Sequence, residues 1–131
     1  MKEGARELLE FLHSRGLPMA LATSRGAATT KLKLDHSGLG RYFQSVITGD
    51  MVSRGKPHPE IYLTACAALG TAPARTMAVE DSPNGIRSAS AAGMPTVMIP
   101  DLLPPTAELD GLLWRRFDSL DALREYLREN L

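Results

Sequence analysis

Short apolar runs alternate with helix-sized segments along this chain, and this alternation restricts the folds that it can adopt. Four such runs are visible, at 19–23, 45–49, 76–80 and 96–100. Strands that are separated by helices form parallel sheets, because each connection must cross the sheet before the next strand begins. The sequence therefore predicts an α/β domain, a Rossmann-like parallel sheet with helices on both faces.

The helical segments have recognisable apolar faces and ends. Ala5, Leu8 and Leu12 follow the spacing of one helix face, and Gly16 ends that helix. Further helices are predicted up to about His36, around 62–69, over 84–92 and over 119–129. The segments 50–60 and 101–111 contain helix- and strand-breaking residues and are predicted as loops, and 112–117 is predicted as a short edge strand.

Length and composition indicate one domain that needs no cross-links. With 131 residues the chain can bury a core without disulfides or a structural metal, so we expect a single domain over 1–131. Lys plus Arg equal Asp plus Glu at 15 each, so the net charge favours neither nucleic acid nor an anionic membrane. Cys66 is the single cysteine, and no apolar run reaches the ~20 residues of a membrane span. We therefore expect a cytoplasmic protein.

Polar side chains stand where three of the apolar runs end. The first run ends at Thr23, and Ser24 follows it. A loop with Lys56 follows the second run, and Glu80 and Asp81 stand at the end of the third. Ligands bind at the carboxyl ends of strands in open parallel sheets. Hydroxyl and ammonium groups bind phosphoryl oxygens, and paired carboxylates suit the oxygen shell of Mg²⁺. The pattern predicts a site for phosphate and magnesium at this edge.

Each of these residues also has an ordinary structural explanation when it is taken alone. Thr23 can cap a helix, Lys56 can be a solvated surface residue, and the two acids can belong to a turn. Cys66 lies on an apolar helix face and is predicted to be in the core, and the three histidines lack the spacing of a zinc site. The functional interpretation depends on the joint order of hydroxyl, lysine and paired acids along the chain.

The segments "LPMALATS", "GKPHPEIY" and "VEDSPNGIRSASAAGM" occur in that order. They resemble the haloacid dehalogenase superfamily, most closely its β-phosphoglucomutase-like enzymes and its sugar- or nucleotide-phosphate phosphatases. The resemblance implies that the Thr23 hydroxyl and the Ser24 backbone N–H bind the phosphoryl group and that Lys56 neutralises its charge. It also implies that Glu80 and Asp81 hold Mg²⁺, with Asp81 as the direct ligand.

Enzymes of this superfamily use an aspartate nucleophile in a "DxDGT" segment that ends the first strand, with a second aspartate as general acid and base. No two aspartates of this chain are separated by one residue. The resemblance therefore implies that the nucleophile strand and the cap domain are missing. That strand would lie between the strands that end at Thr23 and Glu80. We expect the vacancy to be filled by a second chain, by an upstream segment, or by direct pairing of its two neighbours.

Three functions are compatible with these features of the sequence. The first is the core of a magnesium-dependent phosphatase for a small phosphorylated metabolite, inactive as this chain alone. The second is a β-phosphoglucomutase-type mutase, for which only Arg25 is available near Thr23 to hold a second phosphate. The third is a non-catalytic phosphate-binding or interaction module. A phosphorelay receiver domain fits less well, because its acids come early and its lysine comes last.

Overall fold

The computed structural model describes residues 3–99 and 106–131. Helices and strands alternate in it from end to end. The elements are α1 Ala5–Ser14, β1 Ala20–Ala22, α2 Ala27–Ser37, β2 Ser45–Ile47, α3 Glu60–Leu69, β3 Ala78–Glu80, α4 Pro83–Ala91, β4 Thr96–Met98, α5 Ala107–Asp110, β5 Arg115–Arg116 and α6 Leu120–Asn130. The predicted α/β class is confirmed, and the edge strand predicted for 112–117 is present in shortened form as β5.

The segment predicted as a loop over 101–111 contains a helical turn, so that part of the prediction is wrong. Residues 101–105 lie outside the described residues, but α5 follows directly after Thr106. The Thr106 hydroxyl accepts a hydrogen bond from the Leu109 amide at 3.3 Å, and the Leu109 side chain is buried against Ile86 and Met98. The helix cap and the buried leucine together stabilise a turn that composition alone does not indicate.

The strands form two parallel sheets that are not hydrogen-bonded to each other. β1 pairs with β2, with Ala20 opposite Ser45. β4 lies between β3 and β5, with Ala78 opposite Thr96 and Val97 opposite Arg115. Because β1 and β3 belong to different sheets, direct pairing of these two strands, one of the three expected solutions, does not occur. We call the space between β1 and β3 the central gap.

Helices cover both faces and link the two sheets across the central gap. On one face, Ile61 and Cys66 of α3 pack with Ile47 of β2 and Ala78 of β3. On the other face, Leu8 of α1 packs against β4 and α6, and the adjacent Leu9 and Leu12 pack near Met19 and Leu34. Neighbouring residues of a strand point to opposite faces. Accordingly, Ala20 and Ala22 pack on the α3 side, whereas Leu21 packs on the α1 side.

Two further expectations concern the core and the membrane. Cys66 is 2% exposed and belongs to the core, as predicted. Among the described helices, none has the length and apolar character that a bilayer crossing requires.

Candidate functional site

Lys56 spans the central gap at the carboxyl ends of the strands. Its ammonium group donates a hydrogen bond to the Ala22 carbonyl oxygen at 3.3 Å and to Glu80 Oε2 at 2.6 Å. The first acceptor ends β1 and the second ends β3, so one side chain contacts both sheets. The loop that holds Lys56 is itself fixed, because the Ser88 hydroxyl of α4 donates to the His58 carbonyl oxygen at 2.7 Å.

The Lys56–Glu80 ion pair is buried, and further donors surround the carboxylate. The two side chains are only 10% and 7% exposed. The Tyr62 hydroxyl also donates to Glu80 Oε2, and the Ser82 hydroxyl donates to Oε1 at 3.3 Å. A buried carboxylate is costly unless it is paired and hydrogen-bonded, and here both of its oxygens have partners.

Burial, and secondly the adjacent Glu80 carboxylate, raise the pKa of Tyr62 far above its ordinary value. The phenol therefore remains protonated over the whole physiological range and acts as a hydrogen-bond donor. Its ring lies 5.2 Å from the Lys56 ammonium nitrogen, which is within the range of a cation–π contact.

The first turn of α4 lies directly against Glu80. A Cβ atom at position 85 would be 2.0 Å from Glu80 Oε1, so only glycine fits there while the carboxylate keeps its position. The Gly85 amide donates to the Ser82 hydroxyl at 3.0 Å, which caps the helix. The amino-terminal end of a helix also favours a nearby negative charge.

The loop that carries Thr23 and Ser24 is supported by the loop after β2. The Gly49 amide donates to the Arg25 carbonyl oxygen at 2.8 Å, and Asp50 Oδ2 accepts from the Ala27 amide at 3.2 Å. The Thr48 hydroxyl, and secondly the Ala27 amide, lower the pKa of Asp50. Asp50 thereby supplies the cap of α2, because residue 26 is a glycine with no side-chain oxygen of its own.

Thr23 and Asp81 line one cleft of about 770 Å³, together with Leu21, Arg25 and residues of α2. The Thr23 hydroxyl accepts a hydrogen bond from the Arg25 amide at 3.2 Å, and Ser24 is exposed beside it. Asp81 is exposed as well, in contrast to the buried Glu80. The two adjacent carboxylates thus have different environments. Glu80 accepts hydrogen bonds from Lys56 and Tyr62, whereas Asp81 is accessible to a ligand in the cleft.

Within 3–99 and 106–131, no three acidic, histidine or cysteine side chains come together as a metal site. Two carboxylates stand at the end of β3, Glu80 and Asp81, and solvent reaches Asp81. An exposed carboxylate that shares a cleft with a threonine hydroxyl supplies hard oxygen donors that Mg²⁺ accepts, and this ion usually keeps several waters. The residues present therefore fit part of a magnesium shell.

Comparison with models of protein families shows which family the chain belongs to. The model of the haloacid dehalogenase-like hydrolases matches residues 1–93. This chain belongs to the haloacid dehalogenase-like hydrolases. The match includes β1, Lys56 and the Glu80–Asp81 pair, which are the parts of the chain that form the site described above.

Individual relatives of this chain are named as phosphatases or as a phosphoglucomutase. The chain is 41% identical over 104 residues to the "Probable pseudouridine-5'-phosphatase" of Drosophila melanogaster, covering 75% of this chain and 45% of the relative. It is 40% identical over 91 residues to the "Phosphorylated carbohydrates phosphatase" of Thermotoga maritima, covering 70% and 42%. The crystal structure of β-phosphoglucomutase from Clostridium difficile superposes with a TM-score of 0.81 at 25% identity, covering 98% of this chain and 55% of that one. This chain therefore spans less than half the length of these two curated relatives.

Most polar groups of this edge are predictable from the sequence, but three residues that support them are not. The predicted residues are Thr23, Ser24, Lys56, Glu80 and Asp81, and the structure brings Lys56 into contact with Glu80 and places Thr23 and Asp81 on one cleft. Tyr62, Gly85 and Asp50 were not predicted as parts of the site. Tyr62 lies in the helix predicted around 62–69, and the sequence of that helix gives no sign of the partner of its hydroxyl.

Proposed function

We propose that this chain is the core of a magnesium-dependent phosphatase that acts on a small phosphorylated metabolite. The observation that supports this most strongly is the position of Lys56. Its ammonium group is held between the ends of β1 and β3, next to the cleft that Thr23 and Asp81 line. A buried cation beside hydroxyl groups and an open carboxylate is suited to a phosphoryl group with its metal ion.

Each residue of the site has a distinct task in this proposal. The Thr23 hydroxyl and the Ser24 amide bind phosphoryl oxygens, and Lys56 offsets their negative charge. Asp81 holds Mg²⁺, which when bound stabilises charge that develops on the phosphoryl group. Glu80 keeps the Lys56 ammonium at the strand ends, because its carboxylate is fully engaged with donors from the protein.

The nucleophile is expected to come from a strand that occupies the central gap. Val79, in the middle of β3, is 40% exposed, although its neighbours Ala78 and Glu80 are buried. A strand placed beside β3 would pair with its free backbone groups and cover this valine. By resemblance to the family, an aspartate at the end of that strand would attack phosphorus and displace the substrate's alcohol, which takes a proton from the second aspartate. Water would then hydrolyse the aspartyl phosphate, which releases orthophosphate and restores the aspartate. An upstream segment or a second chain can supply such a strand.

Thermal unfolding in the presence of orthophosphate and Mg²⁺ tests the binding half of this proposal. Phosphate at about 100 times its Kd would stabilise the folded chain by ~2.7 kcal/mol, which raises the melting temperature by several degrees. Lys56→Met should abolish the increase. Lys31→Met should retain it, because Lys31 lies on the exposed side of α2 and pairs with Asp35. An increase that survives in Lys56→Met would contradict the proposed site.

Two alternatives share this site. The absence of a "DxD" pair from the sequence favours a phosphate-binding module without turnover if no strand ever completes the gap. The similarity to the Clostridium difficile enzyme favours a phosphomutase. A mutase transfers phosphate within a substrate instead of releasing it, so product analysis of the enzyme with its completing strand separates mutase from phosphatase.

A further inference from the structure

Tyr62 of α3 contacts both charged groups of the Lys56–Glu80 pair in the structure. Its hydroxyl donates to Glu80 Oε2, the same oxygen that Lys56 approaches at 2.6 Å. Its ring lies 5.2 Å from the Lys56 ammonium nitrogen. The side chain is 7% exposed, so water competes little for either contact.

A second buried tyrosine provides a comparison within the same chain. Tyr42 is 6% exposed, about as buried as Tyr62. Its hydroxyl accepts a hydrogen bond from Arg41 at 2.7 Å and donates to Glu10 at 3.3 Å, and neither partner belongs to the Lys56–Glu80 pair. The two phenols thus share burial and hydrogen bonding to an acid, but only Tyr62 contacts the phosphate-binding lysine.

We propose that Tyr62 is a positioning residue that fixes Glu80, and through Glu80 the Lys56 ammonium, at the carboxyl ends of β1 and β3. This proposal rests on the phosphate-binding role given to Lys56 above. Tyr62 does not touch the cleft in the structure, so its influence on a bound phosphate is indirect.

The need for a positioning group follows from the chemistry of lysine. Lysine is a point charge on a flexible four-carbon stem, and its position is set by the acceptors it meets. Here those acceptors are the Ala22 carbonyl oxygen and Glu80. Glu80 also has rotatable bonds, and without the Tyr62 hydroxyl its carboxylate would be held by Lys56 itself and by a 3.3 Å contact with Ser82. The hydroxyl thus anchors the carboxylate to α3 independently of the lysine.

The test compares Tyr62→Phe with Tyr42→Phe in the intact chain. Each change removes one buried hydroxyl and keeps the ring, and each is expected to lower the melting temperature. Orthophosphate affinity with Mg²⁺ is then measured by calorimetry. We expect Tyr62→Phe to weaken phosphate binding about fivefold, which is the size expected when a hydrogen bond worth roughly 1 kcal/mol is lost. Tyr42→Phe should bind phosphate as the wild type does.

A second readout does not depend on phosphate. The side-chain ammonium resonance of Lys56, identified by its loss in Lys56→Met, reports how well the group is held in nitrogen–proton NMR spectra. We expect this resonance to broaden or shift in Tyr62→Phe and to remain unchanged in Tyr42→Phe. An unchanged resonance in Tyr62→Phe, or equal phosphate affinity in both variants, would overturn the proposal. If the wild type fails to bind phosphate, the proposed function fails, and the resonance alone still decides whether Tyr62 positions Lys56.

Discussion

Replacing Gly85 by alanine sets two local effects against each other, and the structure indicates which one dominates. Position 85 lies in the first turn of α4, where alanine is a better helix former than glycine by up to ~1 kcal/mol. The added Cβ, however, would lie 2.0 Å from Glu80 Oε1 and 2.1 Å from Glu80 Cδ. Such a contact is relieved cheaply when the displaced group is the end of a free side chain.

The Glu80 carboxylate is not free to move. It accepts hydrogen bonds from Lys56, Tyr62 and Ser82, and it is 7% exposed. Displacing it leaves the Lys56 ammonium buried without its counter-ion, and breaking a buried ion pair in this way typically costs ~3–5 kcal/mol. Alanine's higher helix propensity offsets up to ~1 kcal/mol of this cost. We therefore expect Gly85→Ala to lower the free energy of unfolding by roughly 2–4 kcal/mol.

Urea unfolding followed by circular dichroism measures this difference, and two further variants make it specific. Gly55→Ala is the control, because no atom lies within 4 Å of a Cβ built there. In a Glu80→Ala background the clash is absent, so adding Gly85→Ala should be neutral or stabilise the chain by up to ~1 kcal/mol. If Gly85→Ala is as stable as the wild type, or if its cost is the same with and without the Glu80 carboxylate, the described packing of α4 against Glu80 is wrong.

Two further predictions concern the loops beside the cleft. Because the pKa of Asp50 is lowered in the folded chain, its contribution to stability is present above the ordinary value of 3.8 and is lost as the pH falls through the folded value. Acid titrations followed by circular dichroism should therefore show a flatter loss of stability in Asp50→Asn than in the wild type, and an equally steep loss in both would contradict this role of Asp50. Gly49→Ala should destabilise the chain by more than ~1 kcal/mol in urea unfolding. The added Cβ would lie 2.3 Å from the Ser24 carbonyl oxygen, and a backbone atom cannot rotate away as the end of a side chain can. Unchanged stability would contradict the described contact between the two loops.

The order of the elements and the main polar groups of the site could be predicted from the sequence, because both depend on residues that are close together along the chain. Alternation of apolar runs with helices gives the α/β class, and the strand-end position of Lys56, Glu80 and Asp81 follows from where those runs stop. The pairing of Glu80 with Tyr62 was not predictable in this way. These residues are 18 positions apart, and only the packing of α3 on the sheets brings the hydroxyl to the carboxylate.

The separation into two sheets was likewise beyond the sequence pattern. Resemblance to the family indicated a missing central strand, but the sequence left open whether β1 and β3 would close up and pair. Packing decides this outcome, because α1 and α3 each contact elements on both sides of the central gap. The helix α5 was missed for a different reason, since its cap at Thr106 and its anchor at Leu109 lie in a segment whose prolines indicated a loop.

Phosphorus NMR of a small phosphate ester, mixed with this chain and Mg²⁺, tests the central claim most directly because one spectrum reports both binding and turnover. We expect the ester resonance to broaden or shift with the wild type and to remain unperturbed with Lys56→Met, and we expect no orthophosphate above background, since no residue of the chain matches the nucleophile. An ester resonance that the wild type leaves unperturbed would contradict the phosphate site. Orthophosphate release that disappears in Asp81→Asn would contradict the claim that the nucleophile must be supplied by a strand in the central gap.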